Sequence, residues 1–513
     1  MMFDILLIGF GVIGTEALSK LVNNYKGKKK LKVAVLDKNI NNIPGGIAYS
    51  KTQSKFGFFN NPLRLSNPEF IKWIKKKKNI IRIKKFITRN KDFNLTNWLK
   101  KNEAFNKIEV NKLNEIYLPR LTYSFFLEEK INDFLKKIKK KNISIDLIES
   151  ELLALKTEQS YTCILKKNSS SFKFLLTSKK FRLKKTTKKN SLIMAKNIII
   201  GNGLLPPKKI KENIFFNNFN YIWDFYSEGG TQNLLKMIKK MAVSKKLIKI
   251  LFIGNKAGLL ETMPEIENLS NKIKSQLKII SFAPNLLSLE RAELSVKHSD
   301  YKFKFFKKND LKKVNKAKQI FTLLNKEFYY AKKIGFYKYD VWTLILKKKI
   351  LNKIYSSLSL MQKKIYNDKI FSQIRNITRY TYPSTIDAKI RLEDTKILSY
   401  ETDKVMQLNK SSQHITLITS RGKKVKGDIV VNVSGPVSLT KTTSEVKFLN
   451  SLKKLSYEFG ERGFLADDDF SIGKNIFAPG VISSNFNPNR FTIIKAITLN
   501  THRSVSKIIK SLN

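Results

Sequence analysis

Apolar runs of strand length recur along the chain, separated by glycine turns and helical stretches, and the first fifty residues already show the order. Phe3 to Ile8 is apolar, Gly9 to Gly14 is glycine-rich, Thr15 to Val22 can be helical, and Leu31 to Leu36 is apolar again, which predicts a βαβ opening. Tyr161 to Leu165 and Phe172 to Leu176 flank the polar stretch Asn168 to Ser171 and predict a hairpin. Leu192 to Ile200 reads as a buried strand that ends in Gly201, Asn202 and Gly203, with Pro206 and Pro207 marking an exit. A second α/β start follows, with Leu247 to Ile253 running into Gly254 and a further strand at Leu277 to Phe282.

From Pro284 to Pro383 the sequence holds no other proline and, apart from Gly335, no glycine. Apolar residues recur there at helical spacing, as at Leu311, Val314, Phe321, Leu324 and Phe328, so a helical insertion is expected. Strand patterns return at Ile415 to Thr419 and Ile429 to Val433. The expected class is α/β, with a discontinuous Rossmann-like domain. Its first part is 1–205, a second α/β domain is 206–300, the helical insertion is 301–383, and 384–513 returns to the first domain.

Composition adjusts this picture in three ways. At 513 residues the chain exceeds what one core supports, so two or three packed units are expected. Lys and Arg number 99 against 40 Asp and Glu, a net charge of +59, which raises nucleic acid as a partner. The lysines are dispersed, however, at Lys28 to Lys30, Lys75 to Lys78, Lys136 to Lys141, Lys184 to Lys189 and Lys347 to Lys349. With Asn, Ile and Phe abundant alongside, a compositional bias explains them better than a binding face does. The single cysteine, Cys163, excludes an intrachain disulfide framework and suits a reducing compartment. A strand beginning at Phe3 leaves no room for a signal peptide, and no apolar run reaches spanning length, so a cytoplasmic protein without a membrane span is expected.

The strongest chemical signal is Gly9-Phe10-Gly11-Val12-Ile13-Gly14 between an apolar strand and a helix, with Asp37 ending the next strand. Gly9 permits the tight turn, Gly11 lets the backbone approach a pyrophosphate, and Gly14 allows close packing of the helix. The helix N-terminus offers N–H groups and a positive dipole end to phosphate, and the Asp37 carboxylate can accept from ribose hydroxyls. FAD and NAD both present these groups, so the fingerprint alone does not choose between them.

Further segments resemble the FAD-NAD(P)-binding oxidoreductases related to flavin monooxygenases and to ornithine and lysine N-hydroxylases, including an FAD-dependent urate hydroxylase. Gly45-Gly46-Ile47-Ala48-Tyr49-Ser50 is similar to that family's Gly-x-Ala-Tyr segment. Phe59-Asn60-Asn61-Pro62 with Leu65-Ser66, then Phe70 and Trp73, resemble its next motifs, and Tyr117-Leu118-Pro119-Arg120-Leu121-Thr122-Tyr123 resembles Pro-Arg-x-x-Tyr. Gly201-Asn202-Gly203, Arg379 to Pro383, Ser434-Gly435-Pro436 and Phe477-Ala478-Pro479-Gly480 follow in the family's order. The resemblance implies FAD as cofactor, with Gly46, Ala48, Tyr49, Asn60, Ser66, Arg120, Gly203 and Gly480 beside it.

A second dinucleotide, NAD(P)H, is implied at Gly254, Lys256 and Gly258, but Lys256 stands where the relatives carry a second glycine. Either the lysine meets a phosphate or the turn is kept only for packing. No catalytic residue is assigned and no metal is expected. His298, His414 and His502 lack metal-ligand spacing and read as surface or loop residues, and Asp467-Asp468-Asp469 reads as a polar turn. The expected function is FAD-dependent oxidation of a small molecule, monooxygenase-like and drawing on NAD(P)H. The alternatives are a flavin-dependent reductase or dehydrogenase, and a basic nucleic-acid-binding protein on a decayed flavoprotein scaffold.

Overall fold

The computed structural model describes residues 2–512 except 50–56, 60, 91–92, 158–159, 167–168, 178–179, 187–190, 204, 208–209, 215–219, 228, 256, 286–289, 296–297, 308–310, 312, 412–413, 436, 438, 440–447, 457, 461–462 and 484–492. Asn60 and Lys256, and Ser50 and Pro436 of the motifs above, lie outside the described residues.

The opening folds as its pattern predicts: β1 (Met2–Ile8), α1 (Val12–Asn24) and β2 (Leu31–Asp37). The chain then crosses helix α2 (Leu121–Ile138) to β3 (Ile143–Glu149), β4 (Leu152–Thr157), β5 (Tyr161–Leu165), β6 (Ser170–Thr177), β7 (Lys180–Thr186) and β8 (Leu192–Ile200). Strands β8, β1, β2 and β3 run parallel in that order. The buried faces of β1 and β2 are near-continuous Ile, Leu and Val, as a parallel sheet covered on both sides requires. One side is closed by α1, α2 and the C-terminal helix, through Leu18, Val22, Ile131, Phe134, Val505 and Ile508.

The expected hairpin between Tyr161–Leu165 and Phe172–Leu176 does not form. β5 pairs with β4 and β8, whereas β6 pairs with β3 and β7. Tyr161, Cys163 and Leu165 bury one face of β5 with β8's apolar residues, a gain that a hairpin with β6 would forgo.

A second sheet contains β9 (Tyr221–Ile222), β10 (Ile248–Ile253), β11 (Leu277–Ala283), β12 (Leu398–Thr402) and β13 (Ile429–Asn432), in the order β9-β13-β10-β11-β12 and parallel throughout. Helix α3 (Ala257–Glu267) follows β10 as α1 follows β1. β12 and β13 correct the expected return at residue 384: they complete the second sheet, because its parallel strands need partners on both sides of β10 and β11. Strand pairing with the first sheet resumes at β14 (Ser471–Gly473) and β15 (Ile476–Phe477), the latter parallel to β8, and α4 (Ile493–Leu512) then packs on α1.

The proline-free stretch is helical as expected from residue 317 onward, over Ala317–Lys333, Lys338–Lys347, Ile350–Ser357, Leu360–Ile365 and Phe371–Ile377, around Phe328, Trp342 and Tyr366, whereas Val314 of the expected pattern precedes these helices. Its buried Glu327 accepts from the Tyr301 hydroxyl at 2.5 Å and from the N–H groups of Lys304 and Phe305 at 2.9 and 2.7 Å, so the carboxylate anchors a loop. The Tyr117 hydroxyl donates to Ala292 O at 2.7 Å and joins this bundle to the first unit. No described helix is long and apolar enough to cross a membrane.

One ionic cluster clasps the helices of the first unit. Glu16 of α1 is fully buried, 2.6 Å from Lys130 Nζ of α2 and 3.2 Å from His502 Nε2 of α4. His502 is therefore a half-buried helix residue held by a partner, not the surface or loop residue expected from sequence. Burial pushes the Glu16 carboxyl up, but His502 and Lys130 outweigh it and hold it below the ordinary value of 4.5. A carboxyl depressed in the folded state stabilises above its unfolded value and loses that contribution as pH falls through its folded value. Glu16→Ala takes from Lys130 its buried partner, leaving it only Glu69 at 2.6 Å, and takes from His502 the acceptor at its Nε2. It should cost about 3 kcal/mol in chemical denaturation at neutral pH, with the gap to the parent protein narrowing as pH falls below 4.5.

Candidate functional site

The carboxyl ends of β1 and β8 meet where the first sheet's strand order reverses, the place where open α/β sheets leave a crevice for ligands. Gly9 makes this junction. Its φ is +92°, its N–H donates to Leu36 O at 2.7 Å, and a Cβ there would lie 2.6 Å from Gly201 O. Only glycine meets both demands. Gly14 faces the same turn from inside α1, where a Cβ would lie 2.5 Å from Gly9 O.

Gly11 differs from both. A Cβ at Gly11 would make ordinary contacts, 3.5 Å from Gly45 O and 3.6 Å from Gly46 Cα, so the protein's own packing leaves room for a methyl group. Its backbone bridges to Gly45, which brings the Gly45-Gly46 segment over the turn, and Gly46 in turn lies against Gly11 Cα. Gly11 is the N-cap of α1 and has no side chain to satisfy the first helical N–H groups, which leaves them for an outside acceptor.

Asp37 closes the turn from β2. Its Oδ2 accepts from the Phe10 N–H at 2.6 Å and its Oδ1 from the Asn39 N–H at 2.8 Å. Burial holds its carboxyl above the ordinary value although both N–H groups pull it down, and Glu149 nearby adds to the rise. Each oxygen retains a second lone pair for a hydroxyl donor. From the far edge, Gly480 follows β15 and sits on Ile13, where a Cβ would press 2.6 Å from Ile13 Cδ1. Gly203, φ +73°, has open space where a Cβ would stand. The turn thus gathers Gly9, Gly11, Gly14, Asp37, Gly46 and Gly480, while the side chain of Ala48 faces outward.

A second group lies alongside. Tyr49 stacks on Phe59 at 5.9 Å and packs against Tyr123 at 5.3 Å. Ser66 ends the turn Leu63–Leu65 through its N–H to Leu63 O at 2.9 Å. Arg120 is held on three counts. Its N–H donates to Gly57 O at 2.9 Å, its Nε donates to Phe58 O at 3.0 Å, and its Nη2 lies 2.7 Å from Glu261 Oε1. Burial works against the guanidinium's charge, but Glu261 wins and raises its pKa.

Sequence reasoning missed Glu261, which sits on α3 of the second sheet and has no motif around it. It also missed Asn67, which caps a helix through Glu69 N–H at 2.9 Å and donates to Thr498 Oγ1 at 3.1 Å. The run Asn67-Pro68-Glu69 carried the capping signal. Gly254 and Gly258 belong to the other sheet's turn and pack on Ser434 and Val433. Asp467 and Asp469 form a polar turn, accepting from the Ser471 hydroxyl and N–H at 2.9 Å each. No metal-ligating group of three occurs among the described residues.

These contacts separate glycines needed by the fold from one that is not. Gly14→Ala should destabilise the ligand-free protein by about 1–3 kcal/mol through overpacking, whereas Gly11→Ala should stay within about 0.5 kcal/mol. Urea unfolding of the two variants checks the contrast.

Residues 6–175 match the FAD-NAD(P)-binding family. No curated protein matches the sequence. Among solved structures, the fold is similar to the cadaverine monooxygenase DfoA of Erwinia amylovora, crystallised bound to FAD. That likeness has 11% identity and a TM-score of 0.50, over 98% of this chain and 94% of that one. It is similar also to the ornithine hydroxylase PvdA of Pseudomonas aeruginosa, with 12% identity and a TM-score of 0.51 over 100% of both chains. A thioredoxin reductase of Lactococcus lactis aligns over 99% of this chain and 98% of its own, with 9% identity and a TM-score of 0.43. Residues 6–175 thus resemble the FAD-NAD(P)-binding family, and over its whole length the chain has the α/β fold of FAD/NAD(P)-binding flavoproteins.

Proposed function

We propose that the chain is an FAD-dependent oxidoreductase of the monooxygenase-like kind, acting on a small molecule in the cytoplasm. The observation that carries the FAD site is Gly11. Packing explains glycine at positions 9 and 14 but not at 11, where a methyl group would fit the protein alone. Close approach of a pyrophosphate accounts for it.

In this reading Gly9 and Gly14 shape the turn, Gly11 and the first N–H groups of α1 meet the pyrophosphate, and Asp37 accepts from the adenosine ribose. Gly46, Ala48, Tyr49, Asn60, Ser66, Gly203 and Gly480 border the rest of the cofactor. Arg120, fixed by Phe58 O and Glu261, presents an oriented charge at that border. Bound FAD would supply two-electron redox chemistry and reactivity toward O₂, while the protein supplies orientation and electrostatics.

Full-length likeness to a cadaverine monooxygenase crystallised with FAD and to an ornithine hydroxylase supports the monooxygenase subtype. A disulfide reductase working through its own cysteine pair is disfavoured, since Cys163 is the chain's one cysteine and burial pushes its thiol up to about 12. A nucleic-acid-binding scaffold is disfavoured too. Exposed lysines stand on the connection after α1 (Lys28 to Lys30), on α2 (Lys136, Lys137), on β7 (Lys184, Lys185) and in the insertion (Lys347 to Lys349), and so mark no single face.

The purified protein is expected to be yellow or to become so with added FAD, and folded Gly11→Val to retain no flavin after gel filtration. Folded Gly11→Val with stoichiometric FAD would overturn the assignment. Oxygen uptake coupled to substrate turnover separates a monooxygenase from a dehydrogenase.

A further inference from the structure

The two sheets present the same turn twice, and hydrogen bonds fix the correspondence residue by residue. Gly9 N–H donates to Leu36 O at 2.7 Å, and Gly254 N–H donates to Phe282 O at 2.7 Å. α1 begins three residues after Gly9, at Val12, and α3 begins three residues after Gly254, at Ala257. A Cβ on Gly9 would strike Gly201 beyond β8, and one on Gly254, φ +106°, would strike Ser434 beyond β13 at 2.7 Å. In this register Gly11 corresponds to Lys256, Gly14 to Leu259, and Asp37 to Ala283.

Two of these replacements, at 256 and 283, remove a contact that a dinucleotide needs. A side chain at the middle position keeps the backbone from a pyrophosphate, and alanine at the end of the second strand offers nothing to ribose hydroxyls. Leu259 is buried where the first turn has its third glycine. Asn255, the counterpart of Phe10, has no carboxylate facing it from position 283; its Nδ2 donates to Asn285 O at 3.0 Å. The two glycines that remain are both accounted for by the protein itself, because a Cβ on Gly258 would lie 2.6 Å from Val433 Cγ1.

We infer that the second turn is a packing element and carries no dinucleotide, so a nicotinamide nucleotide is not held at Gly254 to Gly258. The inference rests on the proposed function only for the flavin used as reporter.

The test is calorimetric titration of the protein as purified with NADH and with NADPH. Anaerobic bleaching of the flavin by each nucleotide and by dithionite runs alongside. Dithionite should bleach the flavin, and neither nucleotide should bind or bleach saturably up to about 1 mM, the upper end of ordinary KM values. Binding that survives Lys256→Glu and Ala283→Glu unchanged also supports the inference, since the turn is then uninvolved. Saturable binding weakened tenfold or more by folded Lys256→Glu overturns it. If the protein holds no flavin, the proposed function fails, yet the titration still decides this point.

Discussion

Everything at the candidate site hangs on the approach of Gly9 to Gly201, where two parallel neighbours bring their carboxyl ends within 2.6 Å of a missing Cβ. That contact sets the angle at which α1 leaves the sheet, and hence where its N-terminus points. Asp37 reinforces it by accepting the Phe10 N–H, so the residue offered to a ribose also holds the turn in shape. Glu16, Lys130 and His502 then lock α1 between its neighbours one turn further along. A buried carboxylate held by a lysine and a histidine is a costly fastening that tolerates little displacement.

Much of this was legible in the sequence because it is local. An apolar run, three glycines and an acidic residue within 37 positions suffice to read β1, α1 and β2, and the proline-free stretch announces its helices. What could not be read depends on partners far apart. β5 and β6 each look like half of a hairpin, but alternation shows which face is buried and not which strand will cover it. The boundary at 384 failed for the same reason, as Leu398–Thr402 and Ile429–Asn432 are claimed by strands more than a hundred residues earlier. His502 looked like a surface residue because its partner Glu16 is 486 positions away.

The site divides along the same line. The fingerprint residues were found, whereas Glu261, which fixes Arg120, has no local signature. The second turn shows the limit most clearly. Its sequence alone left both a lysine facing phosphate and a retained packing motif open. Gly254 and Gly258 acquire a reason only once Val433 and Ser434 are seen against them.

The return of β15 and α4 to the first sheet has a consequence for biosynthesis. Ribosomes release the chain from its amino end, so β1, α1 and β2 emerge long before Ile476–Phe477, Gly480 and His502. Until they arrive, β8 lacks a neighbour, α1 lacks its outer cover, and Glu16 lacks one of its two partners. Loop-closure entropy across the long intervening stretch has to be met before the crevice is complete. A nascent chain therefore carries an intact fingerprint well before it has a finished place for a cofactor.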